Sequence, residues 1–462
     1  MRPYSQGYTR TVAKLAECRM IFSRVKKRWL VSAFLLVAGL AAAQQATKPV
    51  TILHTNDLHA RLEPFANGNG GFAYLAATIR REKANCKWCL VLDCGDLVQG
   101  TPVSTLFDGV PIYDVANHLG IQASTLGNHE YDYGWQKVGE YLRTARFPIL
   151  SANLVDEKQN AAAKPYVILE ADGVRVGVIG AITSDFPRLH TPDQIGKWRA
   201  LPVVERVRRY LPEVRAQSDI IVLLGHLSEP EEAQVLNELP EVAVTIGGHI
   251  HAGLTEPKRS GDRLLVRVKA GGVELGRVDL EVDLESKAVV SAKWTRIPVG
   301  VKYSSPARDV AVVVAAWESK VAKLMNVPIG ESKREFGRPE LKALFEKALA
   351  EEMGVDFAFI GRGGIRTELH QGTILVRHVW MIYPFDSRVV IGRFRGSQLP
   401  AVVTAGRQID PNRQYTLLTN EFTATNQSSP RELNTSGLKF PRIGPRQRDL
   451  LVQWVKKKRV LE

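Results

Sequence analysis

The sequence predicts an α/β protein whose strands deliver side chains to one shared polar site, and three observations carry that expectation. Apolar runs of strand length alternate with helical patterns from about residue 50 to about residue 250. Five of those runs lead straight into side chains able to hold a metal ion. At 462 residues the chain also exceeds one ordinary core, so two domains are expected.

The first element is a leader. Arg24, Lys26, Lys27 and Arg28 precede an apolar stretch over residues 29–40, which Ala41-Ala42-Ala43 closes. Basic, apolar, small is the order of a secretory signal, and the apolar part is short for a membrane span. A signal peptide is therefore expected over 1–43, with Met20 as the alternative start because residues 1–19 are long and polar for a signal. The competing reading is an uncleaved anchor. Residues 1–43 carry eight Lys/Arg and one Asp/Glu, so half of the +14 net charge sits in the leader. The remainder is not basic enough to suggest a nucleic-acid polymer as partner. The expectation is a secreted or periplasmic monomer with no stable membrane anchor.

Strands follow. Val50-Thr51-Ile52-Leu53 leads into Asp57-x-His59, and Leu90-Val91-Leu92 into Asp96. A weaker run at 124–126 leads into Gly127-Asn128-His129-Glu130. Residues 220–224 lead into His226, and residues 242–246 into Gly247-Gly248-His249-Ile250-His251. In open α/β sheets the working site lies beyond the carboxyl ends of the strands, so these side chains should converge. Residues 166–170 and 174–182 flank Ala171-Asp172-Gly173, a hairpin signal. Further strands read at 264–269, 276–283 and 289–298, then a long helix at 305–325 with Pro306 just inside its start. Residues 326–330 read as a hinge, and a second α/β domain fills 331–462. Lys456–Arg459 reads as the solvated face of a last helix.

Cys86 and Cys89 are spaced to close a small disulfide in an oxidising compartment, and Cys94, inside an apolar run, reads as a buried thiol. A zinc knuckle is excluded, because no second cysteine pair exists.

The candidate ligands suit borderline-hard divalent ions: Asp57 and Asp96 offer anionic oxygen, Asn128 a neutral oxygen, and His59, His226, His249 and His251 imidazole nitrogen. Two cations at about 3.5–4 Å repel each other, and a shared carboxylate helps to hold such a pair. His54, His118, His190, His370 and His378 read instead as structural.

Leu53-His54-Thr55-Asn56-Asp57-Leu58-His59, Asp93-Cys94-Gly95-Asp96, Gly127-Asn128-His129-Glu130-Tyr131-Asp132, Gly225-His226 and Gly247-Gly248-His249-Ile250-His251 resemble the 5′-nucleotidase branch of the calcineurin-like metallophosphatases. The resemblance runs from about residue 50 to the C-terminus. It implies a four-layer metallophosphatase β-sandwich flanked by helices over 48–300, a linker helix and hinge over 301–330, and a smaller C-terminal α/β nucleotide-binding domain over 331–462. It also implies two divalent metal ions, Zn, Mn, Co or similar. One would be held by Asp57, His59, Asp96 and His251, the other by Asp96, Asn128, His226 and His249. His129 would be a non-ligand acting on the developing charge or the leaving oxygen, oriented by Asp132. Asn128 and His129 are neighbours and point different ways, and a carboxylate three residues on can fix the His129 tautomer.

In the second domain Gly363-Gly364-Ile365-Arg366 resembles the family's phosphate-binding segment, where a guanidinium can meet phosphate with two hydrogen bonds. Phe385, after Pro384, and Phe422 resemble the two walls of the base clamp, and Arg338, after Gly337, resembles a phosphate contact. Two departures bear on the substrate. Gly361-Arg362 stands where the family has Asn before its glycines, and Thr425-Asn426-Gln427-Ser428-Ser429-Pro430 lacks the family's Asp. The implied activity is release of phosphate from nucleotides, with cyclic phosphodiester and pyrophosphate bonds also open, by in-line attack of hydroxide generated at the metals. The alternatives are hydrolysis of a non-nucleotide phosphate or a sulfur ester on the same metals, and nucleotide binding without turnover.

Overall fold

The computed structural model describes residues 47–462 apart from 87, 405 and 426–431. The leader, Met20 and most of the stretch 425–430 lie outside those residues. Residues from Lys48 to Glu462 cluster as one compact unit.

Twelve strands build the two large sheets of the first part, beside a short pair at Leu154–Val155 and Arg199–Ala200: β1 (Thr47–Thr55), β2 (Cys89–Asp93), β3 (Ala123–Thr125), β4 (Ile149–Leu150), β5 (Tyr166–Ala171), β6 (Val174–Ile182), β7 (Ile220–His226), β8 (Val242–Gly247), β9 (Lys258–Ser260), β10 (Arg263–Val266), β11 (Glu274–Asp283) and β12 (Ala288–Pro298). They form two six-stranded sheets, ordered β12-β11-β1-β2-β3-β4 and β9-β10-β8-β7-β6-β5. Strands β1 to β4 are mutually parallel, as are β6, β7, β8 and β10. Every residue of β2 and of β7 is buried. This explains why the sequence shows unbroken apolar runs rather than alternation: both faces of these strands are covered.

Ile52, Leu92, Val178, Val222 and Val244 fill the seam between the two sheets. Helix α1 (Phe72–Ala84) packs on the outer side of the first sheet, against β11. Helices α2 (Val203–Gln217) and α3 (Glu229–Glu238) cover the second sheet through Val207, Val214 and Val235. The layers thus run helix, sheet, sheet, helix. The β5–β6 hairpin turns through Asp172 and Gly173 with φ of 52° and 76°, the left-handed pair that an Asp-Gly turn supplies.

Helix α4 (Arg308–Met325) follows, and Pro306 lies ahead of its N-cap, Ala307, rather than inside the helix. The segment expected as a hinge does not remain a loop. Asn326 caps α4, and Pro328–Ser332 becomes β13, pairing with β15 (Gly372–Leu375) on one side and β19 (Val460–Leu461) on the other. Backbone pairing on both sides outweighs the Pro and Gly that suggested a bend. The other sheet of this part is ordered β14 (Phe357–Ala358), β17 (Gln414–Asn420), β16 (Arg388–Arg395), β18 (Arg442–Arg446). Helices α5 (Arg338–Met353) and α6 (Gln447–Lys458) pack together beside it, and Lys456, Lys457 and Lys458 are exposed in the last turn of α6. Cys86 and Cys89 form a disulfide, and Cys94 is a buried free thiol.

Candidate metal centre

The loops after β1, β2, β3 and β8, and the last residue of β7, meet at the seam between the sheets. The loop after β1 is laced to the loop after β2: Asp57 N donates to Gly95 O at 3.0 Å, and His59 N to Asp96 O at 2.9 Å. His129 N donates to Asp96 Oδ1 at 2.8 Å, which brings in the loop after β3. His249 N donates to Asp57 Oδ1 at 2.9 Å, which brings in the second sheet. Gly127 is required by the crowding, since a Cβ there would stand 2.2 Å from Asp96 Oδ1. Asp57, His59, Asp96, His249 and His251 all adopt positive φ, between 47° and 75°. For residues with a Cβ this is costly backbone, and such strain concentrates at functional sites.

The donor atoms converge in two groups. One oxygen or nitrogen atom each from Asp57, His59, Asp96 and His251 lie within 4.8 Å of one another. His59 Nε2 stands 2.8 Å from His251 Nε2. In the other group, Asn128 Oδ1 is 3.1 Å from His226 Nε2 and 2.8 Å from His249 Nδ1, and His226 Nε2 is 3.1 Å from Asp96 Oδ2. Asp96 Oδ2 therefore reaches both groups, being 3.9 Å from His59 Nε2.

Several features fit this set to divalent cations. Asp96 Oδ2 is fully enclosed and has His226 Nε2, at 3.1 Å, as its one close polar neighbour among the described residues, which leaves a carboxylate oxygen with lone-pair capacity to spare. Burial first, with the Arg366 charge second, lowers the His251 pKa to about 2. Burial, then His226, lowers His249 to about 3. Neutral imidazole is the form a cation needs. Burial pushes the Asp96 carboxyl upward, but His226 and His129 pull it well below the usual carboxylate range. His226 Nδ1 faces Cys94 O at 2.8 Å, which turns its Nε2 inward.

His129 belongs to neither group. Its Nδ1 meets Asp132 Oδ2 at 2.8 Å, so the pairing expected from their spacing is present. Burial lowers the His129 pKa, but the Asp132 and Asp96 charges raise it by more. The other ring nitrogen is 3.4 Å from Arg366 Nη2, which is also 3.3 Å from His59 Nε2. Phe385 lies beside them, its ring 6.3 Å from that of His129 and 5.8 Å from the Arg366 guanidinium carbon. Arg338 Nε donates to Ile365 O at 2.8 Å, and its charge bears on Arg366. Arg366 and Phe385 thus join the centre directly and Arg338 borders it. Phe422 is half-buried on the short helix Glu421–Thr425, and no direct ring contact between it and Phe385 occurs among the described residues.

Three residues matter here that sequence reasoning did not single out. Glu130 is fully buried and accepts from the backbone N–H of Asp96, Leu97 and Gly127 at 3.1, 2.9 and 2.7 Å. One carboxylate thereby ties the β2 and β3 loops together; its place in Gly-Asn-His-Glu was the available signal. Asn56 Nδ2 donates to Asp57 Oδ2 at 2.7 Å, and Asn56 also spans to the Val268 backbone. Arg61 is buried two residues beyond His59, and nothing in the motif marked it. Of the histidines read as structural, His190 and His54 are buried with partners, whereas His370 is exposed beside Glu335. His190 lies between Phe186 O and Asn128 O at 2.9 and 2.8 Å, and His54 accepts from Trp294 Nε1 at 3.0 Å.

Residues 50–253 match the family model for calcineurin-like phosphoesterase, and residues 320–405 match that for the 5′-nucleotidase, C-terminal domain. Over 441 residues the chain is 25% identical to Protein UshA of Yersinia enterocolitica, a match covering 80% of this chain and 79% of UshA. The structure of a 5′-nucleotidase precursor from Thermus thermophilus superposes with a TM-score of 0.81 at 23% identity, covering 90% of this chain and 97% of that one. The Thermus thermophilus sulfate thiohydrolase SoxB superposes with a TM-score of 0.76 at 19% identity, covering 89% and 94%. At such identities the two superpositions speak for the fold, while the paired domain models speak for the lineage. The chain belongs to the 5′-nucleotidase family of calcineurin-like phosphoesterases and is a metal-dependent phosphoester hydrolase.

Proposed function

We propose that this chain releases phosphate from nucleotides on a centre of two divalent cations, as an exported monomeric enzyme. The observation that carries the reading is the meeting of Arg366, Phe385 and His129: a guanidinium and an aromatic face from the C-terminal part stand beside the cluster of metal-capable groups. Asp57, His59, Asp96 and His251 would hold one cation, and Asp96, Asn128, His226 and His249 the other, with Asp96 shared. When bound, the pair supplies Lewis acidity and a nucleophile at neutral pH for in-line displacement at phosphorus.

The chain's own groups do the rest. Arg366 presents N–H donors to the phosphate oxygens and neutralises charge on the side facing His59 and His129. His129, its Nδ1 fixed by Asp132, turns Nε2 into the centre on the Arg366 side, where as the imidazolium it would deliver a proton to the departing oxygen. Phe385 offers its face to a base without reading which base it is. Export rests on the sequence of residues 1–43, and no helix among the described residues is long and apolar enough to cross a membrane.

A second reading keeps the centre and changes the substrate to a non-nucleotide phosphate or a sulfur ester. The departures from the family at Gly361-Arg362 and in residues 425–430, and the likeness to SoxB, favour it. A phosphate-release assay on the metal-loaded mature protein separates the two. Nucleoside monophosphates should be hydrolysed faster than an aryl phosphate, with weak preference among bases. Turnover confined to the aryl phosphate or to a thiosulfate ester would shift the assignment to the second reading.

A further inference from the structure

The segment after β6, residues 183–194, contributes no side chain to either group of donor atoms, yet it grips the carriers of two of them. At one end Thr183 N donates to His226 O at 2.8 Å. Further on, His190 Nε2 stands 2.8 Å from Asn128 O. Gln194 Nε2 donates to Asp132 O at 3.0 Å, so the turn bearing Asn128, His129 and Asp132 is held at both ends from this one segment. Between those contacts Phe186 meets the Tyr131 ring edge-on, with centroids 4.8 Å apart.

The segment is itself fixed. Glu231, buried in the first turn of α3, accepts from Thr183 Oγ1 at 2.6 Å and from Ser184 N and Oγ at 2.8 and 2.6 Å. It also accepts from Ser228 N and Oγ at 3.0 and 2.7 Å, and Ser228 lies two residues beyond His226. One carboxylate thereby locks the start of the segment to the turn that follows a donor histidine. Asp57 and His59 are anchored differently, through backbone hydrogen bonds to the loop after β2.

His190 is the polar contact in the middle of this bracket. It is buried, and its Nδ1 faces Phe186 O at 2.9 Å. Asp132 Oδ1 lies 3.8 Å from Nε2 and favours a proton on that nitrogen. Burial opposes a second proton on the ring, while the Asp132 charge and both carbonyls favour it. In either form Nε2–H donates to Asn128 O. That carbonyl also accepts from Tyr131 N at 3.1 Å, so both of its lone pairs are used. Without the imidazole a buried carbonyl would lose a partner, and the turn could recover one only by moving. Asn128 Oδ1 would move with it, away from its present 3.1 Å from His226 Nε2 and 2.8 Å from His249 Nδ1.

We propose that His190 is a positioning residue for one cation site: by holding the Asn128 carbonyl it sets where the Asn128 side-chain oxygen stands against His226 and His249. The inference rests on the two-cation reading of the centre.

The test titrates Mn²⁺ into the metal-free wild type, His190→Phe and His190→Gln by calorimetry, beside kcat and KM for a phosphate monoester that the wild type hydrolyses. His190→Phe keeps a ring of similar shape without its N–H. It should weaken one of two Mn²⁺ equivalents by about 10–100-fold, the usual effect of losing a partner behind a ligand, and leave the other nearly unchanged. At limiting Mn²⁺ its kcat should fall in step and recover in excess Mn²⁺, with KM little altered. His190→Gln, whose amide can donate to Asn128 O, should restore most of the affinity. His190→Leu, smaller and equally apolar, should behave as His190→Phe does and serves if phenylalanine does not fit. Unchanged Mn²⁺ affinity, equal weakening of both equivalents, or a glutamine variant no better than the apolar ones would make His190 ordinary packing and overturn the role. A wild type that binds a single equivalent would overturn the two-cation reading instead. The role of His190 would then be decided by whether that equivalent weakens in His190→Phe and returns in His190→Gln.

Discussion

His129 sits where a single side chain can be separated from the metals by experiment. It is held by Asp132 at 2.8 Å and belongs to neither group of donor atoms. His129→Ala should therefore lower kcat by about 10²–10³-fold, the usual cost of losing one group that acts on the transition state. Metal content, measured beside kinetics, should stay at the wild-type level; loss of a full equivalent would make His129 a ligand. Asp96 is the complementary case. Its Oδ2 reaches both His59 and His226, so Asp96→Asn should weaken both cation sites while His251→Ala weakens chiefly one. Titration of each variant with Mn²⁺ gives the stoichiometry, and two intact sites in Asp96→Asn would end the shared role. The identity of these side chains was legible in the sequence because each follows a strand-like run. What holds them was not. Positive φ at Asp57, His59, Asp96, His249 and His251 is a property of the folded backbone, and none of these residue types announces it as glycine would. Arg61 was silent for a related reason: its burial depends on neighbours that the local sequence does not reveal.

Among the elements, the segment from the helix Val376–Ile382 into Pro384 and Phe385 can be tested by itself. Tyr383 anchors it: the ring is fully buried and its hydroxyl accepts from Asn420 Nδ2 at 3.0 Å. Phe385 follows at 5.7 Å from the Tyr383 ring, only partly buried and turned toward His129. A side chain held this way from behind but open in front has area to offer a ligand. Phe385→Ala should raise KM for nucleoside monophosphates while leaving hydrolysis of an aryl phosphate nearly unchanged, since nucleotides alone bring a base to stack. If both substrates suffer equally, Phe385 is packing and the nucleotide reading loses its main support in the C-terminal part. The strands were legible as elements because burial on both faces leaves continuous apolar runs, as in Ile220–His226. The segment Asn326–Gly330 was not, because its strand character comes from partners far away in sequence, Gly372–Leu375 and Val460–Leu461.

At the scale of the whole molecule, the centre lies on the seam between the sheets. Asp57, His59, Asp96 and Asn128 come from loops of the first sheet, and His226, His249 and His251 from the second. Both groups of donor atoms draw on both sheets, since His251 joins Asp57 and His226 joins Asn128. Cations held there would act as cross-links between layers otherwise joined by apolar contacts such as Ile52, Val178 and Val222. They would also relieve a cost intrinsic to the folded chain, because burial pushes the Asp57 carboxyl up to about 6 even with His226 nearby. Anything that binds the native state and not the unfolded one stabilises by mass action, about 2.7 kcal/mol per site at a hundredfold excess over Kd. For two sites that amounts to roughly 5 kcal/mol, which in a chain of this size corresponds to a fall in Tm of about 5–6 °C on chelation. The loss should reverse when Mn²⁺ or Zn²⁺ is restored, and Asp96→Asn should show little of it, because that variant has already lost the shared charge. Thermal unfolding followed with and without chelator measures this directly. A wild-type Tm indifferent to chelation would mean that the converging carboxylates and imidazoles hold no cation in the native protein, and the catalytic roles assigned around them would fall together.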